Sequence, residues 1–276
     1  MIIFHYFFGG ISILTDDLKF KDKIIPRIVL GTATFTGEQY FGHRSRIYEM
    51  DFEDHPENIA KLIEKAYSMG VKSINLVNND NLLKAYELAC ENGVRMDVIA
   101  TIGKSNVNYL HPDFEKAKKV NWMEDIEKLG KYNPSVMLID EFLVNSFDWD
   151  YLKEILDEIN KSNSFSGLIT FTPFETTEKL LESSIKDDFD FYMIPVNKFA
   201  YIMDCDSFLK EDQERLAALL EKLNKKIIIH KALAVGILQP KDAFSFLNTL
   251  DFVDMVAVGV AKEKEVDETF NTLFDI

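Results

Sequence analysis

Ile227-Ile228-Ile229-His230-Lys231-Ala232-Leu233-Ala234-Val235-Gly236 and, further on, Met255-Val256-Ala257-Val258-Gly259-Val260-Ala261-Lys262-Glu263-Lys264-Glu265 decide how this chain folds. Each begins as a short apolar run of the buried-strand type and opens into a glycine-containing turn. The second turn leads directly into a helix start. Runs of this kind, bounded by turn signals, read as strands covered on both faces, which is the signature of a parallel sheet. In parallel α/β proteins such turns gather at the carboxyl ends of the strands, where helix N-termini favour anions. The pair reads as the last two units of a barrel and its candidate phosphate end.

The same strand-then-helix rhythm extends back towards the N-terminus. The first barrel strand is Ile28 to Thr34. A helix follows from about Glu57 to Met69, with Ile59, Leu62, Ile63 and Ala66 on one face and Gly70 as its stop. The next strands are Lys72 to Val77 and Asp97 to Ile102, each with a helix behind it, over Leu82 to Glu91 and Phe114 to Lys131. Val136 to Val144 reads as strand four and Trp149 to Asn160 as its helix. Gly167 to Phe171 reads as strand five, with Thr176 capping a helix to Ile185. Phe189 to Pro195 with Ser207 to Asn224, Lys226 to Lys231 with Asp242 to Leu247, and Asp254 to Gly259 with Glu263 to Leu273 complete the set. Eight alternations predict a single-domain (β/α)8 TIM barrel over residues 1–276. Gly9-Gly10, between two apolar runs, reads as the turn of an N-terminal β-hairpin. The longest connection, about Thr36 to Pro56, follows the first strand. It is expected to lie over the barrel mouth as a loop carrying Tyr40, His43, Arg44, Arg46 and Tyr48.

Composition narrows the function classes. The chain has 276 residues, 47% of them hydrophobic, enough for a large core, and a formal charge of −15. That charge argues against nucleic acid and anionic membranes as partners, because phosphate surfaces need a basic footprint. A small-molecule ligand remains the expected partner, with oligomeric state open. Cys90 and Cys205 are too few for a disulfide framework or a cysteine zinc site, and the five histidines lack ligand spacing, so no metal is expected. The apolar N-terminus lacks a basic region and a cleavage site and is too short to span a bilayer. The expected location is cytoplasmic.

From about Ile25 to Asn271 the chain resembles the aldo-keto reductase superfamily. Leu30-Gly31-Thr32-Ala33-Thr34-Phe35 is similar to the family's LGTxxFG, and Met69 to Asn75 to its aGinffD. Leu143 to Asp148 resembles LLHxxD, and Gly167 to Pro173 resembles GvSNhsP. Met193 to Asn197 is similar to QipyN, His230 to Gly236 to YSPLAgG, and Gly259 to Thr269 to the cofactor-phosphate segment. The resemblance implies NADP-dependent oxidoreductase chemistry, with an Asp, Tyr, Lys and His tetrad. Aligned on these motifs, the tetrad positions hold Asn75, Asp80, Ile102 and Asn145, with Lys104 two residues beyond Ile102. Ile169-Thr170 replace the nicotinamide-binding pair, Met193 the glutamine and His230 the stacking tyrosine. By the same resemblance Thr170, Asn197, Lys231, Leu233 and Gly236, with Gly259, Lys262 and Lys264, contact the cofactor.

Hydride transfer to a carbonyl needs a proton donor within hydrogen-bond reach of the developing alkoxide. An unperturbed Asp titrates near ~3.9, so Asp80 is a poor donor at neutral pH. His230, at a strand end, titrates near neutrality unless perturbed and is the leading acid/base candidate. Asn75, Asp80 and Asn145 are candidates for a polar cluster around it, with an Asp80–His230 pair as its working part. Lys231 faces the opposite way, towards an adjoining loop and a phosphate. Asp140 and Glu141 lie together, one of them expected inward and in need of a partner such as Lys104. The sequence reading is thus an aldo-keto-reductase-like barrel that binds a nucleotide or small phosphorylated ligand. Three activities stay open: a divergent NADP-dependent oxidoreductase with a relocated proton donor, a lyase or isomerase using His230 with Asp80, and a non-catalytic binding or regulatory protein.

Overall fold

The computed structural model describes residues 16–275. Eight parallel strands close into a barrel: β3 (Ile28–Gly31), β4 (Ser73–Val77), β5 (Asp97–Ile102), β6 (Val136–Ile139), β7 (Phe165–Ile169), β8 (Phe191–Pro195), β9 (Lys226–His230) and β10 (Met255–Gly259). A short antiparallel hairpin, β1 (Leu18–Phe20) and β2 (Lys23–Ile25), precedes them. It turns at Lys21 and Asp22; the Gly9-Gly10 turn expected from the sequence lies outside the described residues. Among the described residues no helix is long and apolar enough to cross a membrane.

The helices form the outer layer. They are α1 (His43–Phe52), α2 (Pro56–Ser68), α3 (Asp80–Glu91), α4 (Phe114–Ala117), α5 (Trp122–Gly130), α6 (Glu141–Val144), α7 (Trp149–Ile159), α8 (Pro173–Leu181), α9 (Lys210–Leu223), α10 (Pro240–Leu247) and α11 (Glu263–Asp275). In α2 the apolar positions Ile59, Leu62, Ile63 and Ala66 recur at helical spacing and are buried, while Pro56 starts the helix where its missing N–H costs nothing.

Strand period two sorts residues between two cores. Val29, Ile99, Val136, Leu138, Phe191, Met193, Ile228 and Met255 point into the barrel, and their neighbours Leu30, Val98, Met137, Tyr192 and Ile229 point to the helices. Leu18 and Ile25 of the hairpin join the interior cluster, and Phe20 stacks edge-on against Phe165 and Phe191 at 5.0 and 5.1 Å. The hairpin therefore plugs the N-terminal end of the barrel. At the other end the inward positions are small or polar: Gly31, Asn75, Thr101, His230 and Gly259. That is where space remains.

Four sequence expectations change. The strand read from Val136 to Val144 ends at Ile139, because the Asp140 carboxylate accepts the Phe142 N–H and caps α6. The helix read from Phe114 to Lys131 is two, the second capped by Asn121. Thr172, not Thr176, precedes α8, since Pro173 occupies the first helical position. The connection from Thr36 to Pro56 is not irregular: it contains a 3-10 turn, Gln39–Phe41, and α1.

Two tests address the barrel itself. A Cβ on Gly167 would lie 2.5 Å from both the Phe191 carbonyl oxygen and Leu138 Cδ2. Gly167→Ala is therefore expected to cost about 1–3 kcal/mol, read as a lower urea midpoint. At the base of β5, burial pushes the Asp97 carboxyl up to about 6, against the opposing pull of Ser135 and Lys23. A raised folded pKa favours the protonated acid, so this contribution is present at about pH 4 and lost as pH rises through about 6. Asp97→Asn is expected to flatten that part of the stability profile; an unchanged slope would assign it to other groups.

Candidate functional site

The C-terminal ends of the strands surround a cavity of about 460 Å3. Its floor is Asn75, Met193 and His230. One wall is the segment from Lys231 to Pro240, and the facing wall is Gly31 to Thr34 with Val258 and Gly259. Tyr40, Arg44, Ile47 and Tyr48 close it from above, and Glu265, Glu268 and Thr269 of α11 form its far end. Few apolar residues mark α1 in sequence, because it buries only Ser45 and Phe52 and lies over this opening rather than against a core.

The wall after β9 is strained. Lys231, Ala234 and Val235 all have left-handed backbones, at φ of 56°, 46° and 53°, followed by Gly236 at 80°. A β-branched residue in this region is an outlier, and such conformations concentrate at binding and catalytic sites. The turn presents the Val235 carbonyl to Arg44 Nη1 at 2.7 Å. Gly236 holds a φ of 80°, which favours glycine, and a Cβ there would come within 2.6 Å of the same nitrogen and displace the Arg44 tip.

Beside the cavity lies a buried charge cluster drawn from four βα units. Lys104 Nζ is 2.9 Å from Glu38 and 3.8 Å from Asp140. Lys231 Nζ is 2.9 Å from Glu141, their side chains only 2% and 7% exposed. The Lys231 ammonium also sits 4.9 and 5.2 Å from the ring centres of Tyr40 and Tyr109. Burial opposes the charge of Lys104, but Glu38, Asp140 and Glu141 outweigh it and hold its pKa above the usual range. Burial pushes Asp140 up to about 6 despite Lys104. Burial, then the charge of Glu38, raises the Tyr40 phenol well above its ordinary value, so it stays protonated.

The residues singled out in sequence separate into three groups. His230, Asn75, Lys231, Leu233, Gly236, Gly259 and Lys262 all line the cavity. His230 does not titrate near neutrality. Burial and then Lys231 depress its pKa well below the ordinary value. Its Nε2 lies 3.4 Å from the Thr170 carbonyl oxygen, which can only accept, so the network assigns the proton to Nε2 and leaves Nδ1 as an acceptor. Asn75 Nδ2 donates to the Ile99 carbonyl and to Thr101 Oγ1, both at 3.0 Å.

The second group is structural. Asn145 accepts from Thr170 Oγ1 at 2.9 Å and donates to Thr172 and Thr176, an all-protein network behind α6. Asn145 and His230 both reach Thr170, but they do not bond to each other, and Asn145 is not among the residues lining the cavity. Asn197 accepts from the Phe199 and Tyr201 N–H groups and donates to the Tyr201 carbonyl, folding its own loop. Ile102 packs into the helix layer, and Thr101 is the inward neighbour. Lys231 does not reach outward for a phosphate, since Glu141 holds it.

The third group lies outside the cavity lining. Asp80 is 94% exposed at the start of α3, 3.9 Å from Lys128, so the Asp80–His230 pair is not formed. Lys264 is exposed and pairs at 3.1 Å with Glu268, which does line the cavity. Sequence reasoning did not single out the Glu141–Lys231 pair or Thr32; it named Met193 only through the resemblance and covered Glu265 and Glu268 only within the Gly259 to Thr269 segment. Arg44 and Tyr48 were visible only as loop residues.

In sequence, no family model matches the chain and no curated protein matches it. In structure, it is similar over nearly its whole length to a Pseudomonas aeruginosa protein assigned as an aldo-keto reductase, with TM-score 0.62, 14% identity, and 95% of this chain and 96% of that one covered. An aldo/keto reductase of Brucella melitensis aligns at TM-score 0.61 and 12% identity, covering 94% and 93%. A mutant protein solved in complex with NADPH aligns at 0.56 and 13%, covering 93% and 87%. The fold is thus that of the aldo-keto reductase barrel.

Two outcomes follow from the site. Glu141→Ala leaves the Lys231 charge buried without its partner and is expected to cost about 3–5 kcal/mol, most of it recovered when Lys231→Met is added. Urea titration of the single and double variants measures this; an undiminished loss in the double variant would place the cost in packing. The His230 imidazole is expected to show no NMR titration midpoint between about pH 8 and about pH 6.

Proposed function

We propose that the cavity binds a nucleotide or another small phosphorylated ligand, laid from the barrel axis to α11 beneath α1. The observation that carries this reading is Arg44, a cation held over the cavity at the strained turn after β9 in a chain of net charge −15. Lys262 adds a solvent-exposed charge, whereas Lys231 is already met by Glu141. A cavity of about 460 Å3 is within the range of ligand sites, roughly 300–1,000 Å3, and it is set at the end of the barrel where ligands bind. Fold alone does not assign a reaction, so the reading rests on these side chains.

A nicotinamide dinucleotide is the ligand to test first, supported by the NADPH complex of the structurally similar protein. Arg44 and the turn from Leu233 to Gly236 would hold its phosphates, and Asn75, Met193 and His230 would face its reactive ring. When bound, the cofactor supplies or accepts a hydride. The chain's own groups able to pass a proton in the cavity are the Tyr40 hydroxyl above it, kept protonated by burial, and the neutral His230 at its floor. Lys104 stays charged but is engaged by Glu38 and Asp140, which makes it an electrostatic support for that end rather than a donor.

On this reading the motif positions of the reductase tetrad are not the working groups. Asp80 is solvent-exposed, Asn145 is consumed in a hydroxyl network and Ile102 faces the helices. Proton transfer, where the barrel catalyses any, passes through Tyr40 or His230. A thermal-shift panel with NADH, NADPH, ADP and a sugar phosphate at millimolar concentration tests the binding reading. Stabilisation grows as RT ln(1 + [L]/Kd), about 2.7 kcal/mol at a hundredfold excess over Kd. A nucleotide is expected to raise Tm in the wild type and not in Arg44→Ala; no shift with any of the four overturns the proposal.

A further inference from the structure

We infer that the α11 end of the cavity is built for the vicinal hydroxyls of an unphosphorylated ribose, so that the chain selects dinucleotides lacking a 2′-phosphate; this rests on the nucleotide reading of the cavity. Burial raises the pKa of the Tyr48 phenol, Glu265 raises it further, and Arg44, bonded to the Val235 carbonyl, lowers it, so both charges act on this one side chain. Glu265 and Glu268, one helical turn apart on α11, make the α11 wall of the cavity acidic.

Glu265 is fixed in place. Its Oε2 accepts the Ala261 N–H at 2.8 Å, so the backbone donor that an anion would use at this turn already faces a carboxylate. A carboxylate accepts several hydrogen bonds, and the bond to Ala261 leaves Oε1 available to a ligand hydroxyl. Glu268 offers a second acceptor on the same wall and also engages Lys264 at 3.1 Å, which takes that lysine away from any arriving anion. Lys262 also lines this wall but is solvent-exposed. Two carboxylates on the wall disfavour a phosphate set directly against them and attract hydroxyl donors. Discrimination by a repulsive group is an established route to specificity, and an acidic side chain binding ribose hydroxyls is the general counterpart of a cation binding a 2′-phosphate.

Dissociation constants for NADH and NADPH, measured by dihydronicotinamide fluorescence on the wild type and on Glu265→Gln with Glu268→Gln, test the inference. The carboxamide oxygen introduced by the first change can still accept the Ala261 N–H, and circular dichroism confirms the fold of each variant; the single Glu268→Gln change, at an exposed site, serves if the pair does not fold. NADH is expected to bind the wild type about tenfold or more tightly than NADPH, a difference of about 1.4 kcal/mol. The carboxamide variants are expected to shrink that ratio severalfold, chiefly by tightening NADPH. Equal or tighter binding of NADPH by the wild type, or a ratio unmoved in the variants, overturns the inference while leaving the nucleotide reading intact. Failure of both dinucleotides to bind overturns the two together.

Discussion

Everything in this molecule depends on the closure of β10 onto β3. The two strands pair in parallel from Val256 with Ile28 to Gly259 with Gly31, joining the last strand to the first and leaving no open sheet edge. The closure ends on two facing glycines. A Cβ on Gly31 would lie 3.2 Å from the Gly259 nitrogen, tighter than a side chain accepts without a shift. Just beyond, the Thr34 hydroxyl donates to the Val260 carbonyl at 2.7 Å. One wall of the cavity is therefore assembled from residues more than two hundred positions apart, and α11 is carried with β10 onto α2, where Lys65 meets Asp267 at 2.7 Å.

The barrel interior is graded from one end to the other. Leu138, Phe191 and the hairpin residues Leu18 and Ile25 fill the N-terminal half, while glycine, asparagine, threonine and histidine occupy the inward positions at the other. Close packing at the base and short side chains at the mouth create the cavity without any cost in the core. The ions beside it are another matter. Burying Lys231 with Glu141 and Lys104 with Glu38 and Asp140 carries a desolvation penalty that apolar residues would avoid. Their gathering at the strand C-ends, together with three left-handed non-glycine residues in the β9 turn, concentrates strain and charge at the one face where barrels bind ligands.

Much of this was legible in the sequence, and the exceptions have definite causes. The apolar runs of β3 to β10 and the faces of α2, α7 and α11 follow period two and period 3.6 closely enough to be placed within a few residues. The helix α1 was missed because it packs over a hollow and shows no apolar stripe. The stretch from Asp140 to Val144 is apolar enough to read as strand, but the capping bond of Asp140 turns it into a helix, so Asn145 follows a helix instead of ending a strand. Thr176 read as a cap because of its type, whereas its hydroxyl is drawn inward by Thr170, Thr172 and Asn145.

The inward position of His230 came from the family resemblance; residue order alone determined the barrel, its strand count and the glycine turns at its rim, since these follow from local periodicity and backbone sterics. It could not determine which charges meet. Glu141 with Lys231, Glu38 with Lys104, and Arg44 with Val235 are separated by 90, 66 and 191 positions, and each pairing exists only once the ring has closed. The protonation of His230 is likewise a property of its surroundings, set by burial and by its charged neighbour rather than by the imidazole itself.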